Sequence, residues 1–206
     1  LGLSPALAAR STALPETVPL LYHVMERARR RVAAAYDAPL GSLRLSDATL
    51  TRLQPVADDD DPALKPEAWS SSGSLDVGLL RKDKFCYWRP HIDQVSVSEY
   101  EFSALLYLTR HAEDEAEVEA GHADFSGGEL LFHDNDYDRC IRPEPGLLVA
   151  FTSGEANLHA VQRVTSGTRF ALTMWFTTRP ETAHADATHL GLKQWTAALP
   201  DHPSPE

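Results

Sequence analysis

Two histidines and one carboxylate carry the most specific chemistry in this chain. His91-Ile92-Asp93 sets an imidazole and a carboxylate two positions apart. His159 follows far downstream in Asn157-Leu158-His159-Ala160-Val161, and Arg169 lies just beyond it in Gly167-Thr168-Arg169-Phe170-Ala171-Leu172. Two His and one carboxylate on one side of a metal, with open positions opposite, are the ligand set of non-haem Fe(II) oxygenases. Each piece alone is weak. A His-x-Asp arises often by chance, and a lone His is more often a surface or capped histidine. Zinc also accepts His and Asp, so ligand type leaves that metal open. Arg169 tilts the choice, because a buried guanidinium is costly without an anion. The bland partner is a structural Asp or Glu. The sharper one is the distal carboxylate of 2-oxoglutarate, which Arg holds bidentately.

The elements that must position these groups read as β. In a strand, residues i and i+2 share a face, so His91 and Asp93 can look into one cavity while Ile92 looks away. In the last strand Arg169, Ala171, Thr173 and Trp175 share one side, and Phe170, Leu172, Met174 and Phe176 the other. The second side is apolar and should pack on a core. Tyr100 to Leu108 reads as a strand buried on both faces, with Ser103, Leu105 and Tyr107 on one side. Tyr107 can present its hydroxyl to the same carboxylate; its plain alternative is a core tyrosine with the hydroxyl at the rim. Val161 shares the face of His159. Gly127 to Phe132 reads as a turn and a strand, Arg142 to Gly146 as a turn, and Leu147 to Phe151 as a strand. His159–Val164, the turn at Thr165-Ser166-Gly167 and Arg169–Thr177 read as a hairpin.

Ahead of this lies a helix over Pro19–Tyr36, its apolar stripe Leu21, Val24, Met25, Ala28, Val32 and Ala35, with Arg27, Arg29, Arg30 and Arg31 on its wet face. Two short strands are expected, around Leu43–Leu45 and Leu50–Leu53. Residues 1–16 read as an irregular lead-in, Asp58–Asp61 as a solvated loop lacking the spaced ligands of a Ca²⁺ site, and Ser70–Ser74 as a polar loop. The acidic stretch from Arg110 to Ala123 should be a surface excursion. His23, His111, His122, His133, His184, His189 and His202 fit no ligand pattern. One helical segment followed by many short strands points to an α+β fold with a sandwich or barrel-like core. The division is 1–83 as a support region of the same domain, 84–180 as the core, and 181–206 as a short helix and tail.

A formal net charge of -11 argues against nucleic-acid binding. No apolar run approaches membrane-spanning length. The two cysteines, Cys86 and Cys140, make no disulfide framework and read as buried thiols. The first residue is Leu1, so the chain reads as a fragment or processed form whose leader or anchor, if any, lies outside it.

With these residues in hand, the stretch from about Phe85 to Pro180 resembles the Fe(II)/2-oxoglutarate oxygenases of the prolyl hydroxylase superfamily, the leprecan-type prolyl 3-hydroxylases among them. The shared pieces are His91-Ile92-Asp93, Tyr100 to Leu108, Phe125 to Leu130, Phe151 to His159, and Val164 to Phe176. The resemblance implies a double-stranded β-helix (jelly-roll) core with supporting N-terminal helices. It implies His91, Asp93 and His159 as iron ligands and Arg169 with Tyr107 on the distal carboxylate. Leu105, Leu130, Val161, Thr173 and Trp175 fall at positions that line the co-substrate pocket. The implied cofactors are Fe(II), 2-oxoglutarate, O₂ and L-ascorbate. The implied partner is a protein or peptide substrate, with a prolyl residue foremost, and the implied compartment is the secretory pathway. Many prolyl 4-hydroxylases have Lys where this chain has Arg169, which tells against a collagen 4-hydroxylase. A small-molecule hydroxylase on the same fold and a non-catalytic, metal-stabilised β-sandwich binding module are the rivals. Trp88 and Ile92 flank the first ligands and can shape the substrate side.

Overall fold

The computed structural model describes residues 17–55, 87–134 and 138–179. The expectations for the lead-in, Asp58–Asp61, Ser70–Ser74, Cys86 and the tail lie outside them.

Helix α1 spans Thr17–Ala35. It buries Tyr22, Met25, Ala28, Val32 and Ala33, one stripe at helical spacing. The stripe is rotated slightly from the expected one, and Ala35 is exposed. Arg29 corrects the expectation of a wet arginine face, because it is buried. Its Nη1 donates to the carbonyls of Leu40 (2.7 Å) and Leu43 (2.9 Å), and its Nε pairs with Glu26 at 2.7 Å. The guanidinium thereby satisfies carbonyls of the chain that leaves the helix. The helix ends in a turn through Asp37, whose φ is +51°.

The sequence's two short strands are one. Strand β1 runs Arg44–Leu53 with a register shift between Leu45 and Asp47. The bulge there explains why the alternation looked broken at that point. The remaining strands are β2 Phe102–Tyr107, β3 Phe125–Gly127, β4 Leu130–Phe132, β5 Arg139–Ile141, β6 Leu148–Thr152, β7 His159–Val161, β8 Val164–Gly167 and β9 Arg169–Thr177. Two short helices interrupt them, α2 Asp93–Ser96 and α3 Glu115–Glu119. The latter lies in the acidic excursion, its first turn capped by Asp114.

Among the described residues the strands form an antiparallel sheet in the order β1-β9-β2-β6, a second in the order β5-β4-β7, and the pair β3-β8. The hairpin expected from His159 to Thr177 does not form. Strand β7 pairs with β4, β8 with β3, and β9 with β1 and β2. Gly167, at φ +75°, lets the chain turn from β8 into β9 instead of closing a ladder.

The four-stranded sheet separates two cores. On one face Ala104, Leu172, Met174 and Phe176 meet Tyr22, Met25, Ala28 and Val32 of α1. Each such fully buried side chain contributes about 1.5–3 kcal/mol. On the other face Leu105, Tyr107, Phe151 and Ala171 meet Leu130, Phe132 and Val161 of the second sheet. The parity read from β9 therefore holds, and Arg169 and Trp175 belong to the side that faces the second sheet.

Candidate metal and co-substrate site

The first ligand pair is built by a bridge rather than a long strand. His91 and His159 form an isolated antiparallel bridge, with reciprocal amide-to-carbonyl bonds of 2.8 and 3.0 Å. Ile92 continues extended (φ -122°, ψ 127°), and Asp93 opens α2. The i, i+2 geometry survives because only Ile92 need be extended. His91, Asp93 and His159 bring their ligand atoms within 4.8 Å of one another. Asp93 Oδ1 lies 3.7 Å from His91 Nε2 and 3.8 Å from His159 Nε2.

What surrounds these atoms decides their state. His91 Nδ1 lies 2.9 Å from the Arg89 carbonyl, and His159 Nδ1 lies 2.9 Å from the Asn157 carbonyl. A carbonyl only accepts, so both Nδ1 atoms carry hydrogen and both Nε2 atoms present lone pairs when the rings are neutral. Burial pulls the His159 pKa below its usual value, helped by the neighbouring His91 and opposed by Asp93. That favours the neutral, metal-binding form. Asp93 is likewise divided between two duties. Its Oδ2 accepts from Ser103 Oγ at 2.6 Å and from Trp175 Nε1 at 3.0 Å. Oδ1 is the atom turned towards both imidazoles. Ser103 Oγ is in turn 2.7 Å from Ser153 Oγ. Because Ser103 spends its proton on Asp93, Ser153 is the donor of that second bond. Trp175 is held by Tyr100, stacked at 5.0 Å and 11°, whose hydroxyl donates to Asp47 Oδ2 at 3.3 Å. These outer partners orient the ligands as second-layer hydrogen bonds do in metal sites.

On the same face of β9 as Trp175 lies a buried cation with unmet donors. Arg169 is 2 % exposed, yet its Nε and Nη2 have no hydrogen-bond partner. These two N–H groups lie along one edge of the guanidinium plane and match a carboxylate fork. Tyr107 is also buried with a partnerless hydroxyl. Arg169 Cζ stands 5.0 Å from the centre of the Tyr107 ring, close enough to act on the phenol without hydrogen-bond geometry. Burial raises the Tyr107 pKa, against the pull of Arg169, and burial lowers that of Arg169. Leu105, Leu130 and Val161 line the same apolar cluster. Thr173 is paired opposite Leu105. Gly128, at φ +72°, makes room: a Cβ there would stand 2.9 Å from Arg169 Cδ.

The structure brings His91, Asp93 and His159 together and gathers Leu105, Tyr107, Leu130 and Val161 into one cluster. Trp175 bonds to Asp93 rather than only walling a pocket. Three features escaped the sequence reading. Ser103 and Ser153 look like ordinary core serines until the sheet brings them to Asp93. Cys140 is exposed, not buried, because β5 is the outer strand of its sheet. His111, read as a loop histidine, packs edge-on to Phe125 and lies 3.1 Å from Glu129 Oε1.

Residues 79–177 match the family model described as the 2OG-Fe(II) oxygenase superfamily. That stretch is similar to the 2OG-Fe(II) oxygenases over just under half of the chain. The chain is 41% identical over 124 residues to 2-oxoglutarate and iron-dependent oxygenase domain-containing protein 3 of Xenopus tropicalis, covering 60% of this chain and 35% of that protein. It is 31% identical over 178 residues to human prolyl 3-hydroxylase 3, covering 85% of this chain and 22% of that protein. A solved 2OG-Fe(II) oxygenase family oxidoreductase from Burkholderia pseudomallei aligns with a TM-score of 0.42 at 17% identity, over 66% of this chain and 44% of the other. The chain spans about a third or less of the curated relatives it matches. The oxygenase donor set fits the residues present: two imidazoles whose Nε2 atoms lie beside Asp93 Oδ1, one oriented carboxylate, and a buried cation with unmet donors.

Proposed function

We propose that this protein is an Fe(II)- and 2-oxoglutarate-dependent dioxygenase that hydroxylates a C–H bond of a peptidyl substrate, foremost a prolyl residue, releasing succinate and CO₂. The observation that carries the reading is the pairing of the His91–Asp93–His159 cluster with the buried, unmet Nε and Nη2 donors of Arg169. His91, Asp93 and His159 would hold the iron, and Arg169 with Tyr107 would hold the distal carboxylate. Leu105, Leu130, Val161 and Thr173 would wall the co-substrate. Bound iron would supply the oxidising power, using 2-oxoglutarate and O₂, and L-ascorbate belongs to the same cofactor set. The chain's own contribution is geometric: Nδ1 bonds aim the imidazoles, Ser103 and Trp175 aim the carboxylate, and the apolar wall excludes water. The two facing sheets are read as the halves of a double-stranded β-helix, with 84–180 as its core, 1–83 packed on as support, and 181–206 as a tail.

The peptidyl substrate is supported by the likeness to proteins named prolyl 3-hydroxylases, and the secretory pathway is carried over from the same resemblance. The intact donor set and the buried Arg169 with unmet donors tell against a non-catalytic binding module. The test is turnover of 2-oxoglutarate labelled with ¹³C, read by NMR as succinate, with a panel of proline-containing peptides. The reading expects succinate formation lost in His159→Ala, and a peptide gaining one oxygen by mass spectrometry. Succinate without oxygen transfer to any peptide would move the assignment to a small-molecule hydroxylase. No succinate from folded, iron-loaded protein would defeat the reading.

A further inference from the structure

We propose that Tyr87 is a third anchor for the distal carboxylate of the co-substrate, completing a cradle with Arg169 and Tyr107. This rests on the dioxygenase reading above.

Tyr87 lies on the stretch leading to His91 that runs beside β7, where its carbonyl accepts from the Val161 amide at 2.9 Å. Its ring packs against the cluster of Leu105, Tyr107, Leu130, Val161 and Ala171. Trp88 meets that ring edge-on at 4.8 Å, and Arg163 caps Trp88 at 4.9 Å. The ring is thereby braced from outside and its position is not left to chance. The hydroxyl is buried and has no hydrogen-bond partner. Burial pushes the Tyr87 pKa up, opposed by the Val164 amide and by the charges of Arg163 and Arg169. Tyr87 and Tyr107 therefore share one apolar cluster, Arg169 stands over the Tyr107 ring, and all three have buried polar atoms without a partner among the described residues.

Counting acceptor sites shows what fits. A carboxylate offers about four lone-pair positions. The Arg169 fork fills two and Tyr107 a third, which leaves one for a further donor. Buried polar groups are almost always partnered, so three orphan sets at one apolar cluster call for one anion rather than three separate accidents. The plain alternative is that Tyr87 is wall, its hydroxyl simply dry. That alternative leaves the coincidence with Arg169 and Tyr107 without a cause.

The experiment compares two oxoacids on the Fe(II) protein without oxygen, read by the visible absorption of the iron–oxoacid chelate. 2-Oxoglutarate has the distal carboxylate and pyruvate lacks it. Tyr87→Phe should raise the Kd for 2-oxoglutarate about tenfold, as loss of a hydrogen bond to a charged group does, and leave the Kd for pyruvate unchanged. Tyr107→Phe run beside it should show the same pattern. Metal affinity, measured with Mn(II), should not move in either variant. Equal losses for both oxoacids, or no loss for either, would overturn the assignment of Tyr87 while leaving the dioxygenase reading intact. If the unaltered protein showed no saturable preference for 2-oxoglutarate over pyruvate, the cradle itself would fall, and Tyr87 with it.

Discussion

Ser103→Ala is the perturbation that separates aiming a ligand from supplying one. Ser103 touches neither the proposed metal position nor the co-substrate, is fully buried, and donates to Asp93 Oδ2 at 2.6 Å. Deleting its hydroxyl leaves Trp175 as the remaining described donor to that oxygen and strands the Ser153 hydroxyl, which donated to Ser103. Loss of a hydrogen bond to a charged acceptor costs about 1.5–3 kcal/mol. How that cost divides is what the reasoning predicts. In the metal-free protein the carboxylate is free to rotate, so thermal stability should fall by no more than that amount. In the metal-bound protein Oδ1 must stay aimed, so metal affinity should drop roughly 10- to 100-fold, the usual cost of removing an outer-layer partner. Mn(II) titration by electron paramagnetic resonance measures the second quantity and urea unfolding with chelator the first. At saturating metal the Kd for 2-oxoglutarate should be unchanged. A large stability loss with unaltered metal affinity would refute the claim that Ser103 aims Asp93 and would make it a packing residue.

Further outcomes follow from the same contacts. Arg169→Met should abolish 2-oxoglutarate binding yet raise the melting temperature of the ligand-free protein, because it removes a buried cation with unmet donors, a gain of roughly 1 kcal/mol or more; differential scanning fluorimetry with and without 2-oxoglutarate reads both signs. Gly128→Ala should weaken 2-oxoglutarate more than metal, since its Cβ would press on Arg169 Cδ at 2.9 Å from a left-handed backbone; the backbone term alone costs about 1–2 kcal/mol. Burial pushes the Glu26 pKa up, but the hydrogen bonds and charges of Arg29 and Arg30 outweigh it and hold the folded value below the ordinary one. Its contribution is therefore complete above the unfolded value, about 4.3, and is lost as pH falls through the lower folded value. Urea midpoints of the natural protein should fall across that acidic window more steeply than those of Glu26→Gln.

Much of the site was legible in the sequence because strand parity is a local property. His91 with Asp93, and Arg169 with Ala171 and Trp175, needed only an extended backbone to share a side. The long-range part came from residue chemistry: a carboxylate and two imidazoles seek one cation wherever the chain brings them. The pairing of strands was less legible. Strands β8 and β9 read as hairpin partners because a glycine turn joins runs of β-formers, but β9 pairs with β1 and β2 and packs its apolar face on α1. The bulge near Ser46 hid the continuity of β1 for a related reason, since one extra residue shifts the alternation. Arg29 looked wet because the carbonyls that bury it, those of Leu40 and Leu43, lie in a turn with no periodic signal. Ser103 and Ser153 were invisible as a pair, since nothing local links a serine in β2 and a serine just past β6 to an aspartate at a helix start.

The central claim is that one buried pocket holds iron and 2-oxoglutarate together. Its most direct test is an anaerobic titration of the Fe(II)-loaded protein with 2-oxoglutarate, watching the visible charge-transfer band of the chelate. The account predicts a saturable band, absent in His159→Ala and shifted to much higher concentration in Arg169→Met. Folded, metal-bound protein that gives no band at any concentration, or a band indifferent to Arg169, would contradict it.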